Sequence, residues 1–160
     1  MDLLRRKLTV RAQGQSLVLV KRPIESPEHV LQKALLWAMY LPRYPDVRVE
    51  VPLPTPSRYK PDLLALDQLG ELRFWGECGV VSLDKLQFLL TRYKRTHFVF
   101  SKWSTRLDPF AGLIAQALER VQRRAPVELI NFDPSVVDAI GEDGTITIAE
   151  QMYELRRWGV

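Results

Sequence analysis

Cysteine is almost absent from this chain, which has one, Cys78, among 160 residues. A single cysteine excludes an intramolecular disulfide and a cysteine-rich zinc site, and we expect its thiol to be buried and unreactive. Long apolar runs are also missing, because none reaches the roughly 18 residues that a membrane-spanning helix needs. Residues 1–7 are charged and lack the apolar core of a signal peptide. We therefore expect a cytoplasmic protein with no membrane partner.

The overall composition is that of an ordinary globular protein, with 46% hydrophobic and 26% charged residues. A chain of this length can bury roughly 70% of its unfolded surface, so we expect residues 1–160 to form a single domain. The net charge of +4 permits an acidic partner such as nucleic acid without requiring one. A homo-oligomer is left open by these observations.

Hydrophobic patterning predicts a chain of the α/β class. We expect its helices and strands to form an α+β arrangement around a mixed sheet. Turn residues and apolar alternation predict an opening hairpin over residues 8–20 and a half-buried strand over residues 47–53. Between them Ser26 is an N-cap residue, and Pro27 is the first residue of a helix that we expect to end near Leu41.

The stretch from residue 58 to residue 102 contains a second hairpin with a carboxylate near each outer end, Asp62 and Glu77. Two apolar runs bracket a turn over residues 67–70. A two-residue loop would place the two acids directly opposite each other, and a four-residue loop would make them diagonal neighbours about 7–8 Å apart at Cα. Either arrangement would let one hard cation bridge them, whereas an odd-numbered loop would put them on opposite faces of the sheet.

Further elements follow the hairpin. Ser82 is the predicted N-cap of an amphipathic helix ending near Lys94, with Lys85 and Arg92 at the edge of its apolar face. A strand over residues 96–100 should lie parallel to the preceding strand through a right-handed crossover. We then predict a helix over 108–120, a strand over 127–132, a short helical turn after Asp133 and a last strand over 145–148, with 150–160 either helix or strand.

The order helix, three strands, helix, strand, with Asp62 and Glu77 on the hairpin, resembles the PD-(D/E)XK nuclease superfamily. Within it the chain is most similar to the YaeQ family, through the blocks Glu25-Ser26-Pro27-Glu28-His29, Lys60-Pro61-Asp62 and Phe74-Trp75-Gly76-Glu77-Cys78-Gly79. The likeness covers about half the chain and none of it lies after Lys102. It implies a restriction-endonuclease-like core over about residues 26–102, with an N-terminal hairpin and a C-terminal α/β extension.

The resemblance also implies a site for Mg²⁺ or Mn²⁺. Asp62, Glu77 and the main-chain carbonyl of Cys78 would be metal ligands, and Glu28 would be an additional acid on the first helix, acting directly or through water. Magnesium favours oxygen ligands in a near-octahedral shell and keeps several waters. Such an ion would polarise a phosphodiester and supply hydroxide as the nucleophile.

One position departs from the superfamily pattern. The superfamily's lysine belongs two residues after the second acid, where this chain has Gly79, and YaeQ-like proteins depart at the same place. Glycine can neither orient the attacking water nor offset charge on the phosphate. We expect Lys85 to substitute for that lysine, with Arg92 and Lys60 as weaker alternatives.

Three functions remain open from the sequence. The first is a metal-dependent nuclease in which Asp62, Glu77 and Lys85 are catalytic. The second is an inactive nuclease-fold protein that binds nucleic acid or protein through basic residues. The third is a protein-interaction component with no nucleic-acid role. The candidate nucleic-acid-binding residues are Lys60, Arg92, Lys94 and Arg95, with Arg120, Arg123 and Arg124 as additions.

Purely structural interpretations of the same residues also stand. Asp62 can simply start a strand, Glu77 can pair with Lys60 or Arg73 on the surface, and Glu28 can complement the dipole of its helix. Lys85 and Arg92 are equally compatible with a solvated basic face. His29 and His97 have no partner at ligand spacing, so we expect neither to be catalytic.

Overall fold

The computed structural model describes residues 7–159, and residues 1–6 and Val160 lie outside it. The prediction that the chain has no signal peptide rests largely on residues 1–6 and therefore falls outside the described range. None of the helices in the described range is long and apolar enough to cross a membrane. The strands are β1 (Lys7–Ala12), β2 (Gln15–Val20), β3 (Arg48–Val49), β4 (Leu63–Leu66), β5 (Leu72–Cys78), β6 (His97–Trp103), β7 (Val127–Phe132) and β8 (Tyr153–Trp158), and the helices are α1 (Pro27–Tyr40), α2 (Leu83–Arg92) and α3 (Asp108–Leu118).

A mixed sheet of six strands forms the centre of the fold, in the order β3-β4-β5-β6-β7-β8, and β1 pairs with β2 as a separate hairpin. Strands β5, β6 and β7 run parallel, while β4, β3 and β8 are antiparallel to their neighbours. The parallel β5-α2-β6 crossover is as predicted. The C-terminal extension does not form a layer of its own, because β7 and β8 complete the same sheet.

Helices cover both faces of the sheet. Helix α1 begins as predicted, since the Ser26 side chain accepts a hydrogen bond of 3.1 Å from the His29 N–H. It packs on one face, and α2 and α3 pack together on the other. The core on the α1 face includes Ala34, Leu35, Leu63, Phe74 and Val99, and the core on the opposite face includes Trp75, Leu86, Leu89, Phe98 and Ile114.

The β4–β5 hairpin has the predicted register at its outer end but neither of the two predicted loops. Five residues, 67–71, separate the two strands, an odd number that would put Asp62 and Glu77 on opposite faces. However, Ala65 pairs with Phe74 while Leu66 pairs with Leu72, so Arg73 is the extra residue of a β-bulge. The bulge restores the even offset that the predicted loops required.

Two predicted strands are wrong. Over residues 47–53 only β3 pairs, because Glu50 has a φ of 59° and the prolines that follow have no N–H to donate to a ladder. Over residues 145–148 there is no strand, and Thr145 and Ile146 each make an isolated bridge. The tail contains β8, one of the two alternatives that the sequence left open.

The isolated bridge between Arg11 and Thr145 attaches the N-terminal hairpin to the rest of the fold. The Arg11 N–H donates to the Gly144 carbonyl at 2.8 Å, and the Ile146 N–H donates to the Arg11 carbonyl at 2.9 Å. Gly144 has a φ of +86°, and a Cβ there would lie 2.5 Å from the Thr9 carbonyl oxygen. Only glycine allows the two backbones to approach this closely.

We expect Gly144→Ala to lower the free energy of unfolding by about 2–4 kcal/mol, because it adds a steric clash to left-handed backbone strain. Gly70→Ala is the matched control, since Gly70 has a similar φ of +80° but open space around its Cβ position. That control should lose only about 1–2 kcal/mol. Urea denaturation of both variants measures the difference, and equal losses would contradict the packing of the hairpin on Gly144.

Candidate functional site

The two predicted acids lie at the same end of the β4–β5 pair. Asp62 precedes β4 by one residue, and its N–H donates to the Gly76 carbonyl at 3.1 Å. Leu63 lies opposite Gly76 in the ladder, so continuing the register by one residue places Asp62 opposite Glu77. The backbone therefore brings together the pair that the sequence predicted.

Their side chains have different partners. Asp62 Oδ2 accepts a hydrogen bond of 2.8 Å from the Cys78 N–H and lies 3.7 Å from His29 Nε2 on α1. Glu77 Oε1 accepts from Trp75 Nε1 at 3.0 Å, and its Oε2 lies 3.2 Å from Lys85 Nζ on α2. Because α1 and α2 cover opposite faces of the sheet, the two carboxylates have donors on opposite faces.

Glu77 is an unusual carboxylate because only 6% of it is exposed. Burial raises its pKa, and the negative charge of Asp62 raises it further, while the contacts with Lys85 and Trp75 act in the opposite direction. The two acids are therefore close enough to interact electrostatically. A cation placed between them would lower the cost of keeping both ionised.

Lys85 is the basic residue that the structure brings to this pair. The Ser82 side chain accepts from the Lys85 N–H at 3.1 Å, so α2 begins where predicted and its first turn faces Glu77. The Lys85 ammonium also lies 5.0 Å from the centre of the Tyr59 ring. Arg92 is exposed and two turns further along α2, about 10 Å away along the helix axis.

Glu28 and Cys78 have very different environments. Glu28 is exposed at the start of α1, and its side chain forms no hydrogen bond or ion pair within the range 7–159. The Cys78 side chain is buried, and burial raises the pKa of its thiol, in agreement with the predicted buried cysteine. Its N–H is held by Asp62, so its backbone lies directly beside the acid pair.

A buried charged network adjoins Asp62, and the sequence analysis missed it. His29 Nδ1 donates to Glu25 at 2.5 Å, and the Lys33 ammonium, on a residue only 1% exposed, forms ion pairs with both Glu25 and Glu50. The nearby Asp62 carboxylate and then the hydrogen bond to Glu25 raise the pKa of His29, although partial burial opposes them. The spacing of four between His29 and Lys33 was the available signal for a polar edge of α1, and Glu25 lies just before the helix.

Lys102 is a second residue that the sequence analysis missed as part of the site. Strand β6 continues to Trp103, beyond the predicted end at residue 100, and the pairing of Cys78 with Ser101 puts Lys102 beside Gly79. Its ammonium donates to the Gly79 carbonyl and lies 3.9 Å from the centre of the Phe110 ring. Burial lowers the pKa of Lys102 to about 8.

The remaining predicted basic residues lie away from the acid pair. Lys60 is exposed in the loop before β4, whereas Arg92, Lys94 and Arg95 line a groove of about 630 Å³ beside the β4–β5 turn, at the opposite end of β5 from Glu77. Arg120 and Arg124 are also exposed.

Two other residues named from the sequence have structural roles. The Arg123 guanidinium donates to the carbonyls of Leu90 and Tyr93 at 2.8 and 2.9 Å and also to that of Thr96, so it caps the end of α2 and is not free for nucleic acid. His97 is buried and bonded to Glu128.

The residues present fit a hard divalent ion by their donor chemistry. The predicted ligands are the carboxylates of Asp62 and Glu77, the Cys78 carbonyl and the additional acid Glu28, so every donor is an oxygen. Across the part of the chain described, no group of three or more histidine, cysteine, aspartate and glutamate residues is arranged to hold a metal ion. The predicted set has three acidic side chains, those of Asp62, Glu77 and Glu28, and they do not form such a group.

Comparison with known proteins shows the fold. No protein-family model and no curated protein sequence matches the chain. The YaeQ protein from Pseudomonas syringae superposes with a TM-score of 0.57 at 15% identity, covering 93% of this chain and 89% of that one. The YaeQ protein from Xanthomonas axonopodis pv. citri gives a TM-score of 0.57 at 15% identity, covering 94% and 93%. The fold is restriction-endonuclease-like.

The superpositions extend the likeness beyond the part of the chain that carried the sequence resemblance. They cover more than nine-tenths of this chain, so the region after residue 102 belongs to the shared architecture as well. The predicted fold class is confirmed. At this level of identity the likeness concerns the fold alone.

We expect Lys33→Met to lower the free energy of unfolding by about 3 kcal/mol or more, because it leaves the charges of Glu25 and Glu50 without their buried partner. Arg73→Met is the matched control, since it breaks an ion pair with Asp67 in which Arg73 is 43% exposed. Solvent screens that pair, so the control should change stability little. Urea denaturation at neutral pH measures both, and similar losses would contradict a structural role for the buried network.

Proposed function

We propose that this protein is a divalent-metal-dependent phosphodiesterase that acts on nucleic acid. The observation that carries the proposal is the hairpin register, because extending it by one residue puts Asp62 opposite Glu77. The Lys85 ammonium lies 3.2 Å from the Glu77 carboxylate. The restriction-endonuclease-like fold supports it. The mild positive charge of the chain suits a polyanionic substrate.

Each residue has a proposed role. Asp62, Glu77 and the carbonyl of Cys78 would hold Mg²⁺ or Mn²⁺, and Glu28 would contribute through water from the start of α1. When bound, the ion supplies Lewis acidity toward a phosphodiester and lowers the pKa of water. The Lys85 ammonium would offset charge that develops on the phosphate, the task for which Gly79 has no side chain.

Existing contacts would support these roles. The Cys78 N–H fixes one oxygen of Asp62, and the indole N–H of Trp75 fixes one oxygen of Glu77. Groups already oriented by hydrogen bonds need less rearrangement before a ligand binds. His29 would hold Asp62 from the α1 side as a positioning residue.

We expect Asp62→Asn and Glu77→Gln each to lower cleavage of plasmid and single-stranded DNA in Mg²⁺ or Mn²⁺ by about 100-fold or more, because each removes a charged ligand. Calorimetry should show Mn²⁺ affinity falling at least about tenfold in the same variants. Glu71→Gln, an exposed acid on the turn of the same hairpin, is the control and should change neither. Equal cleavage by wild type and Asp62→Asn, or no Mn²⁺ binding by wild type, would contradict the proposal.

A second candidate is a nuclease-fold protein without catalysis that binds nucleic acid through its basic residues. Two observations favour it: the oxygens of Glu77 and one oxygen of Asp62 already have protein partners, and Gly79 replaces the expected lysine. The groove lined by Arg92, Lys94 and Arg95 gives three positive charges on one surface, far from the acid pair.

For this candidate we expect oligonucleotide affinity to fall steeply with salt. Replacing Arg92, Lys94 and Arg95 together by alanine should reduce the slope of log affinity against log salt by about 2 to 3. Asp62→Ala should leave affinity unchanged or improved, and Arg106→Ala, which removes one exposed charge outside the groove, is the control and should reduce the slope by less than about 1. Salt-independent binding would argue against this candidate. No binding at low salt, with a co-purifying protein partner, would favour a protein-interaction component.

A further inference from the structure

In the part of the chain that the structure describes, Lys102 is a half-buried ammonium with no ion pair. Within residues 7–159 its only hydrogen bond is to the Gly79 carbonyl, and no carboxylate lies at ion-pair distance from it. Lys85, in contrast, pairs directly with Glu77, and Lys33 pairs with two carboxylates. Withdrawing an unpaired ammonium from water costs free energy, so an anion at this position would be favourable.

The position of Lys102 follows from the parallel ladder. Glu77 pairs with Phe100, so Lys102 is two residues beyond that partner and on the same face of the sheet, the face covered by α2 and α3. Its ammonium packs on the ring of Phe110 from α3. Lys85 from helix α2 and Lys102 from strand β6 therefore lie on the same face as Glu77.

Gly79 meets this ammonium through its backbone carbonyl. It has a φ of +92°, and a Cβ added there would meet only the His29 ring, at 3.8 Å. The Gly79 carbonyl accepts a hydrogen bond from one of the three N–H groups of the Lys102 ammonium. The other two N–H groups can donate to another ligand.

The charge balance indicates the class of ligand. The carboxylates of Asp62 and Glu77 and the ammoniums of Lys85 and Lys102 are neutral as a group. A divalent ion on the carboxylates would give the group two net positive charges, which suits the negative charge of a phosphodiester strand. A lysine ammonium binds such oxygens as a compact point charge.

We propose that Lys102 is a substrate-binding residue that contacts a phosphate of a nucleic-acid strand at the end of β5 and β6, beside the acid pair. This inference rests on the proposed function for the identity of the substrate. It does not rest on cleavage, since the contact would form in an inactive protein as well. The sequence resemblance places a lysine just after β5, at the position of Gly79. The inference gives the corresponding positive charge to Lys102 on β6.

The test is the affinity of a labelled single-stranded oligonucleotide, measured by fluorescence anisotropy in chelator over a range of salt. We expect Lys102→Met to weaken binding about 5- to 10-fold and to reduce the salt slope by about 0.7, the value for one phosphate contact. Lys102→Arg should retain the slope, and Lys7→Met, at an exposed lysine on β1, should change nothing. A folded Lys102→Met variant with the wild-type slope would overturn the inference.

A measurement on the wild-type protein covers the case in which Lys102→Met does not fold. Acetylation followed by mass spectrometry should show Lys102 protected by the oligonucleotide at least several-fold and Lys7 unprotected. Equal labelling of Lys102 with and without oligonucleotide overturns the inference. Failure of the proposed function is separate, because Mn²⁺ binding and cleavage test Asp62 and Glu77, whereas anisotropy in chelator tests Lys102 alone.

Discussion

The bulge at Arg73 is the constraint on which the candidate site depends. A five-residue turn alone would offset β4 and β5 by one residue, and every side chain beyond it would change face. The extra residue cancels that offset, so Asp62 remains opposite Glu77 at the far end of the hairpin. Arg73 is itself held in place, since its Nε donates to Asp67 in the turn at 2.9 Å.

The environment of the acids is the second unifying feature. Glu77 is buried between an indole N–H and a lysine, whereas Asp62 is reached from the other face by a histidine that belongs to a buried ion network. Charged groups in such surroundings are stable only where each has a partner. At this end of the sheet two carboxylates are therefore surrounded by positively charged side chains. A ligand can take the place of these protein donors.

The sequence predicted those features that depend on local chemistry. Capping by Ser26 and Ser82 was correct because a cap is decided by a few adjacent residues. The position of Lys102 depends instead on how far β6 continues, and apolar alternation ended before it. The bulge could not be predicted, because an inserted residue leaves no periodic signal. The strand predicted over residues 47–53 failed because alternation indicates which side chains are apolar and not whether the backbone can pair.

The two outer strands of the sheet bear on how molecules of this protein meet one another. Strand β3 has only two residues and runs into a proline-containing segment, so one border offers few free N–H groups. The other border, β8, carries Glu154, Arg156 and Arg157 among its six residues. Both borders are poor templates for an added strand. Growth of the sheet from one molecule into the next, the usual route to fibrous aggregates, is therefore disfavoured by the ends of the sheet themselves.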